Sequence, residues 1–463
     1  MWRRVRPDVI SERRSKGPRL LRNRVPGWRR EAFRTTLWVV PTATVVFALA
    51  LFIVTYQLDS RVDAGSLALP GWAIAGGSDA ARQVLIGIAA AVITVAGVVF
   101  SITILALQLA SQQFGPRMLR NFIRDRGTQI SLGAFVATFV YSVLTLGSIA
   151  HRSAEFVPHI SVTVALVLTL GDLGVLIYFI HHVATSIQLT TVVAGIARDF
   201  RSTLQELNHD AARARPGVQS SGPEIQEVRS RLEAGAPVAA RTSGFLQAVG
   251  HDRLVRIAAS SDALISLLHR PGHFVVEGQP LAVVWPIHAV GDVSQALTRE
   301  HIVGSNRTLT QDPGFAVDQL AEVAIRALSP AVNDTFTALN CIDWLGDCLC
   351  RVARDPLPDG IYRDVDGAVR LIDRVITFDR LMKGAFDKIR QAGRGMPAVL
   401  IRQLENLKKV ALAIGAEGDR ESVAAHADMI FRASEESVPD PSDREDVRSV
   451  YDRLLAQLGK VPA

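Results

Sequence analysis

Asp172 is an ionisable residue close to the middle of an apolar run, Pro158 to His182, and it lies between Gly171 and Gly174. A carboxylate at such a depth costs several kcal/mol against lipid, so it faces protein or water. It is either an ion or proton site or a protonated acid making one interhelical hydrogen bond. A second uncharged run carries a different chemistry. The 34 residues between Arg82 and Arg117 include no Asp, Glu, Lys or Arg, yet contain Thr94, Ser101, Gln108 and Gln112. Wound as a helix at about 100° per residue, Gln83, Thr94, Gly97, Ser101, Gln108 and Gln112 fall with Gly87 and Ala90 in one sector of roughly 80°, interrupted by Leu105. Such a stripe has two uses. Small residues let helices approach while Ser, Thr and Gln bond across them. Alternatively, several copies turn the stripe to a common axis and line a wetted path.

A third group is Arg307, Gln311, Asp312, Asn333 and Asp334, polar residues that could together hold a ligand. Helix capping accounts for several of the same residues. Asp312 followed by Pro313 reads as an N-cap with proline at the first helical position, Ser329-Pro330 stops that helix, and Asn333 or Asp334 caps the next. The adjacent His181 and His182 diverge by about 100° on a helix, which suits interface anchoring or capping better than a shared metal.

The elements that would position these groups follow from hydropathy. Four apolar runs, at 35–58, 83–113, 128–150 and 158–182, each reach the ~20 residues needed to cross a bilayer. The first lacks a following A-x-A cleavage site and reads as an uncleaved span. The first 34 residues hold twelve Lys and Arg against three acids, so the chain's net charge of +6 resides in this tail and the remainder carries −3. Placed before a span, such a tail contacts anionic lipid head groups rather than nucleic acid. The loop between spans two and three carries Arg117, Arg120 and Arg124, whose segment "PRMLRNFIRDR" reads as a short amphipathic helix with arginines on lipid phosphates. The positive-inside rule then puts both termini in the cytoplasm.

The fold class expected is an α-helical membrane protein with four transmembrane helices, plus a cytoplasmic α+β region in which a small β-rich module precedes a mostly helical domain. Its parts are a basic tail (1–34), the transmembrane domain (35–182), a helical extension and linker (183–235), the β-rich module (236–300, with a helix at 252–260) and the helical domain (301–463). The extension continues span four on the spacing Val192, Val193, Ile196, Phe200, Leu204, Leu207. Amphipathic helices are expected near 365–391, 398–414 and 420–434. The three cysteines, Cys341, Cys348 and Cys350, lack metal or disulfide spacing, and Cys341 and Cys348 fit one helix face as core residues. No phosphate-cradling loop, GxGxxG, HExxH or GxSxG occurs, so nothing argues for an enzyme, a cofactor or a metal.

The phrases "ITVAGVVFSITILALQLASQQFGPRMLRNFIRDRGTQISLGAFVATFVYSVLTL", "YFIHHVATSIQ", "SGFLQAV", "QDPGF" and "ALSPAVNDTFTAL" resemble, over roughly residues 30 to 435, the bacterial membrane proteins grouped as domain of unknown function 2254. Thr335 stands where that family commonly has proline after "ND". The resemblance implies a four-span inner-membrane protein with a cytoplasmic domain and supplies no activity. The stripe, Asp172 and the large intracellular region together lead to a homo-oligomeric channel or ion-permeation protein, with span two lining the path and the cytoplasmic domain gating it. The alternative is a membrane-anchored sensor or scaffold whose soluble half binds a ligand or partner. A secondary transporter fits less well, because no inverted repeat is evident.

Overall fold

A computed structural model describes residues 39–68, 70–71, 73, 77–114, 125–151, 156–186, 188–213 and 222–459. The basic tail, the amphipathic loop segment and Arg117, Arg120 and Arg124 lie outside the described residues. Four helices are long and apolar enough to cross a membrane: α1 (Val39–Asp63), α2 (Ser78–Phe114), α3 (Arg126–His151) and α4 (His159–Ser186). Helix α3 touches each of the other three. Their shared core is Ala48 of α1, Leu85, Ile88, Val92, Ala96 and Val99 of α2, Phe135, Tyr141 and Ile149 of α3, and Val162, Ala165 and Phe179 of α4. The opposite faces present Val46, Phe47, Ile53, Val167, Leu170 and Ile177 to the surroundings, as hydrocarbon requires.

Helix α2 runs for 37 residues without interruption. At 1.5 Å per residue it is about 55 Å long, well beyond the ~30 Å hydrocarbon core. It also touches α9 (Pro313–Ala327), a helix far along the chain.

The chain divides into two compact units. The helical unit holds the spans together with α5 (Leu189–Arg213), α9, α10 (Thr335–Arg354), α11 (Phe378–Ala392), α12 (Pro397–Ala413), α13 (Glu417–Ser437) and α14 (Pro441–Gln457). The extension is not continuous with span four: α4 stops at Ser186 and α5 starts at Leu189, burying Val193, Ile196, Phe200 and Leu204 on one face. Helix α10 packs on α9 and α12. Its Cys341 and Cys348 are buried core residues, and burial pushes the Cys341 thiol up to about 12. Thr335 occupies the first helical position of α10, a place where proline is also tolerated.

The sheet unit contains α6 (Gly222–Glu233), β1 (Ala236–Ala239), β2 (Gly244–Val249), α7 (His251–Ser260), β3 (Leu264–Leu267), β4 (Phe274–Val275), β5 (Pro280–Trp285), α8 (Val290–Glu300), β6 (His301–Gly304), β7 (Ile361–Arg363) and β8 (Val369–Ile372). One sheet has the order β1-β5-β3-β8-β7 and a second the order β4-β2-β6. All pairs are antiparallel except β3 with β8. The core between sheets and helices includes Leu246, Leu254, Ala258, Ile265, Val284, Val293, Leu297 and Leu371. The helix expected at 365–391 is corrected here. Its first part is a turn at Asp364–Gly367 followed by β8, and helix begins only at Phe378. The "DVDGA" segment turns because Gly367 adopts φ +83°, and the Asp364 side chain accepts from the Asp366 and Ala368 amides.

The expected fold class therefore holds: four apolar helices of spanning length, then a region of sheets and many helices.

Candidate functional site

The buried face of α2 is formed by Leu85, Ile88, Val92, Ala96, Val99 and Ala110. At about 100° per residue this face centres on the direction opposite to the small and polar stripe. Gln83, Gly87, Ala90, Thr94, Gly97, Ser101, Leu105 and Gln108 are all exposed. A β-carbon built on Gly87 or Gly97 would meet nothing within 4 Å. The stripe therefore does not pack against the chain's own bundle. The hydroxyls of Thr94 and Ser101 donate to the carbonyls of Ala90 (2.7 Å) and Gly97 (2.9 Å) one turn back. Gln112 lies in α2, with a side chain outside the described residues.

Asp172 points the other way. It is buried on the inner side of α4, where the Thr138 hydroxyl of α3 hydrogen-bonds with it, while its Oδ2 has no partner among the described residues. Gly171 and Gly174 look outward, with open space where a β-carbon would sit. The acid thus joins α3 to α4 and is not continuous with the outward stripe of α2.

Both ends of the bundle carry polar ties that the sequence alone did not pair. Asp59, buried at the end of α1, accepts from the backbone amides of Ile160 (2.8 Å) and Ser161 (3.0 Å) and from the Ser161 hydroxyl (2.6 Å). It caps the start of α4 from a different helix, doing for two orphan amides what a local N-cap would do. Beside it, the hydroxyls of Thr55 and Tyr141 share a hydrogen bond of 2.9 Å. At the opposite end Asp125 caps α3 through the Thr128 amide (3.0 Å) and hydroxyl (2.7 Å), and pairs with His182 Nε2 at 2.7 Å. Burial alone would raise the Asp125 carboxyl, but the bonds from Thr128 and His182 outweigh it and hold it below the usual carboxylate range. Gly127 leaves room for this pair, because a β-carbon there would collide with the His182 ring and force it to shift. His182 also stacks on Tyr178.

Outside the spans, the five polar candidates divide between the two units. Arg307 and Gln311 belong to the sheet unit, and Asp312, Asn333 and Asp334 to the helical unit. The Gln311 amide splints β2 by accepting from Val249 N (2.8 Å) and donating to Val249 O (3.1 Å). Asp312 stands at the N-cap position of α9, before Pro313, but its side chain makes no capping bond. Asn333 takes a left-handed conformation (φ +48°), and Asp334 caps α10 by accepting from the Thr337 amide at 3.1 Å.

Sequence reasoning also passed over His251, whose Nε2 pairs with Asp373 Oδ2 at 2.7 Å while its ring stacks on Tyr362. The two partners are 122 residues apart, and no local spacing could have joined them. Among the described residues no group of three or more His, Cys, Asp or Glu is arranged to hold a metal.

The family model of the predicted membrane proteins called domain of unknown function 2254 matches residues 34–409. Relatives include uncharacterized proteins of Mycobacterium bovis and Mycobacterium tuberculosis. Each is 32% identical over 415 residues, covering 88% of this chain and 78% of the relative. No solved structure matches. With a family model spanning most of its length, and with four helices of spanning length inside the matched region, this chain belongs to the predicted membrane protein family of domain of unknown function 2254.

Proposed function

We propose that this protein is a homo-oligomeric permeation protein of the bacterial inner membrane, in which copies of α2 turn their small and polar stripes to a common axis. The observation that carries the reading is the placement of that stripe directly opposite the packed face of α2, with Thr94, Gly97, Ser101 and Gln108 all exposed in the single chain. Small residues allow the close approach that an oligomer needs, and Gln108 gives the same face an amide able to hold water. In this reading both termini lie in the cytoplasm, the basic tail and Arg117, Arg120 and Arg124 rest on anionic head groups, and the extramembrane helices gate the path through α9. The protein has no enzymatic activity of its own.

A second reading, a membrane-anchored sensor or scaffold, is favoured by one detail. The Thr94 and Ser101 hydroxyls already bond to their own helix, which suits a dry packing face as well as a wet one. Two measurements separate the readings. In a protein cleared of its native cysteines, new cysteines at Ser101 and Gln108 react with membrane-impermeant thiol reagents, whereas those at the buried Val99 and half-buried Ile102 stay silent. The intact mass in a lipid nanodisc then shows a ring of about four or more copies. Silence at all four positions, or a monomer or dimer, would sink the permeation reading.

A further inference from the structure

Two acids of the bundle have their hydrogen bonds and a third does not. Asp59 accepts three at one end, and Asp125 is bonded by Thr128 and His182 at the other. Asp172, 6% exposed, meets the Thr138 hydroxyl, and its Oδ2 has no partner among the described residues. On α4 it stands eleven residues from Ser161 and ten from His182, about 17 and 15 Å along the axis, and so midway between the two polar ends. No charged residue lies on α1 before Asp59, on α2 after Arg82 or on α3 between Arg126 and His151. The titratable side chains that these packed helices place inside the bundle are Tyr56, Asp59 and Tyr141, none of them a cation. Helix α4 itself adds His159, Tyr178, His181 and His182, all six or more residues away.

A polar track leads from this acid towards one end. On α3 the buried Ser131, Thr138, Ser142 and Thr145 fall within a sector of about 60°. From Thr138 the steps to Ser142 and Thr145 rise about 6 and 4.5 Å, each within reach of one bridging water. Ser142 and Thr145 donate to carbonyls of their own helix, and a hydroxyl oxygen that donates can still accept. Next to Thr145 the Tyr141 hydroxyl shares a bond with Thr55 (2.9 Å) and donates to the Ser161 carbonyl (3.3 Å). The Ser161 hydroxyl in turn donates to Asp59. Towards His182 the track is interrupted. Thr138 and Ser131 are about 10 Å apart along the helix, and Phe135, 1% exposed, occupies the same face between them.

The ligand follows from the number of groups that meet here. A hard metal cation takes about six oxygens, and Asp172 offers one carboxyl beside one hydroxyl. A proton needs a single lone pair.

We propose that Asp172 is a proton-binding site inside each bundle, loaded from the Asp59 end along α3 and closed off from the His182 end by Phe135. A hydronium ion at the Asp59 end gives up its proton and leaves water. The Oδ2 lone pair takes that proton, turning the carboxylate into the neutral acid, and release is the reverse. Intramembrane carboxyls of this kind serve proton relays. The site is internal to one chain and does not rest on the α2 stripe, so silent cysteines at Ser101 and Gln108 would leave it standing.

The test is infrared difference spectroscopy of the full chain in nanodiscs, from alkaline to acid buffer, comparing the wild type with D172N. A carboxylic-acid band found only in the wild type is expected to rise on acidification and to shift in deuterium oxide. That exchange should be about tenfold slower in Y141F, which removes one hydrogen-bonding group from the track, and unchanged in S131A, beyond Phe135. Three results overturn the proposal: no band that D172N lacks, a band of constant height at every pH, or exchange that Y141F leaves as fast as in the wild type or that S131A slows. If D172N does not fold, T138V takes its place. Loss of the hydroxyl should move the frequency of the Asp172 band, and an unmoved band overturns the proposal as well.

Discussion

In the four-helix bundle polar side chains mostly bond to their own helix, whereas in the sheet unit they reach across the chain. Ser101, Ser131, Ser142, Thr145, Thr163 and Thr169 all donate to the carbonyl four residues back. Arg363 instead grips Glu224, 139 residues away, through two bonds of 2.7 Å, and His251 grips Asp373. The contrast follows from solvent. A segment in hydrocarbon must satisfy its polar groups within itself, so helix placement is left to apolar packing. A small two-sheet module in water has less apolar surface to bury and is fastened by polar ties between distant segments. The bundle shows the second behaviour at its ends, where Asp59 and Asp125 join different helices, and where Asp172 joins α4 to Thr138 of α3.

Breaking a tie in the sheet unit should have the largest effect. Glu224→Ala removes the carboxylate from Arg363, whose side chain is only 4% exposed and keeps its bond to the Gly367 carbonyl, and should cost about 2–3 kcal/mol. That is below the full range for buried pairs because Glu224, 37% exposed, is partly screened. Hydrogen exchange across 361–372 should accelerate, and unchanged exchange would show the tie to be idle. The pH dependence has a definite sign. The bond from Arg363 holds the Glu224 carboxyl below its ordinary value. Its contribution is present above the unfolded value of ~4.3 and is lost as pH falls through the folded one.

Next comes a tie at the end of the bundle. Asp59→Ala leaves the Ile160 and Ser161 amides without their cap and should cost about 1–2 kcal/mol, read as a lower thermal midpoint in nanodiscs. A loss matching that of Glu224→Ala would erase the contrast between the units. The smallest effect belongs to the outward stripe. Ser101→Ala removes a hydroxyl bonded to its own helix and should change stability by less than ~0.5 kcal/mol. A larger loss, or an altered oligomer mass, would make Ser101 part of a contact between copies and sharpen the comparison into three regions.

What could be read in the sequence divides along the same line. The spans, the stop at Ser329-Pro330, the capping role of Asp334 and the paired core cysteines are local patterns of period, cap and breaker, and each was legible. So was the stripe on α2, because its angular sector depends only on helical geometry. Its direction relative to the bundle was not, since that depends on which face finds Phe135, Tyr141 and Phe179. Strand β8 was misread as the start of a helix. It is four residues long, too short to show a period against the helical pattern that follows. Asp59 escaped notice because its partners are 101 and 102 residues away.

The unbroken length of α2 has a mechanical consequence. A rod of about 55 Å with no proline inside it has no built-in hinge. A push from α9 on such a rod would be carried along it as by a lever arm. A tilt of about 5° about one end displaces the other by about 5 Å, roughly the width of one helical turn. Movement too slight to repack the extramembrane helices would still swing the distant tip of α2 by the diameter of a side chain.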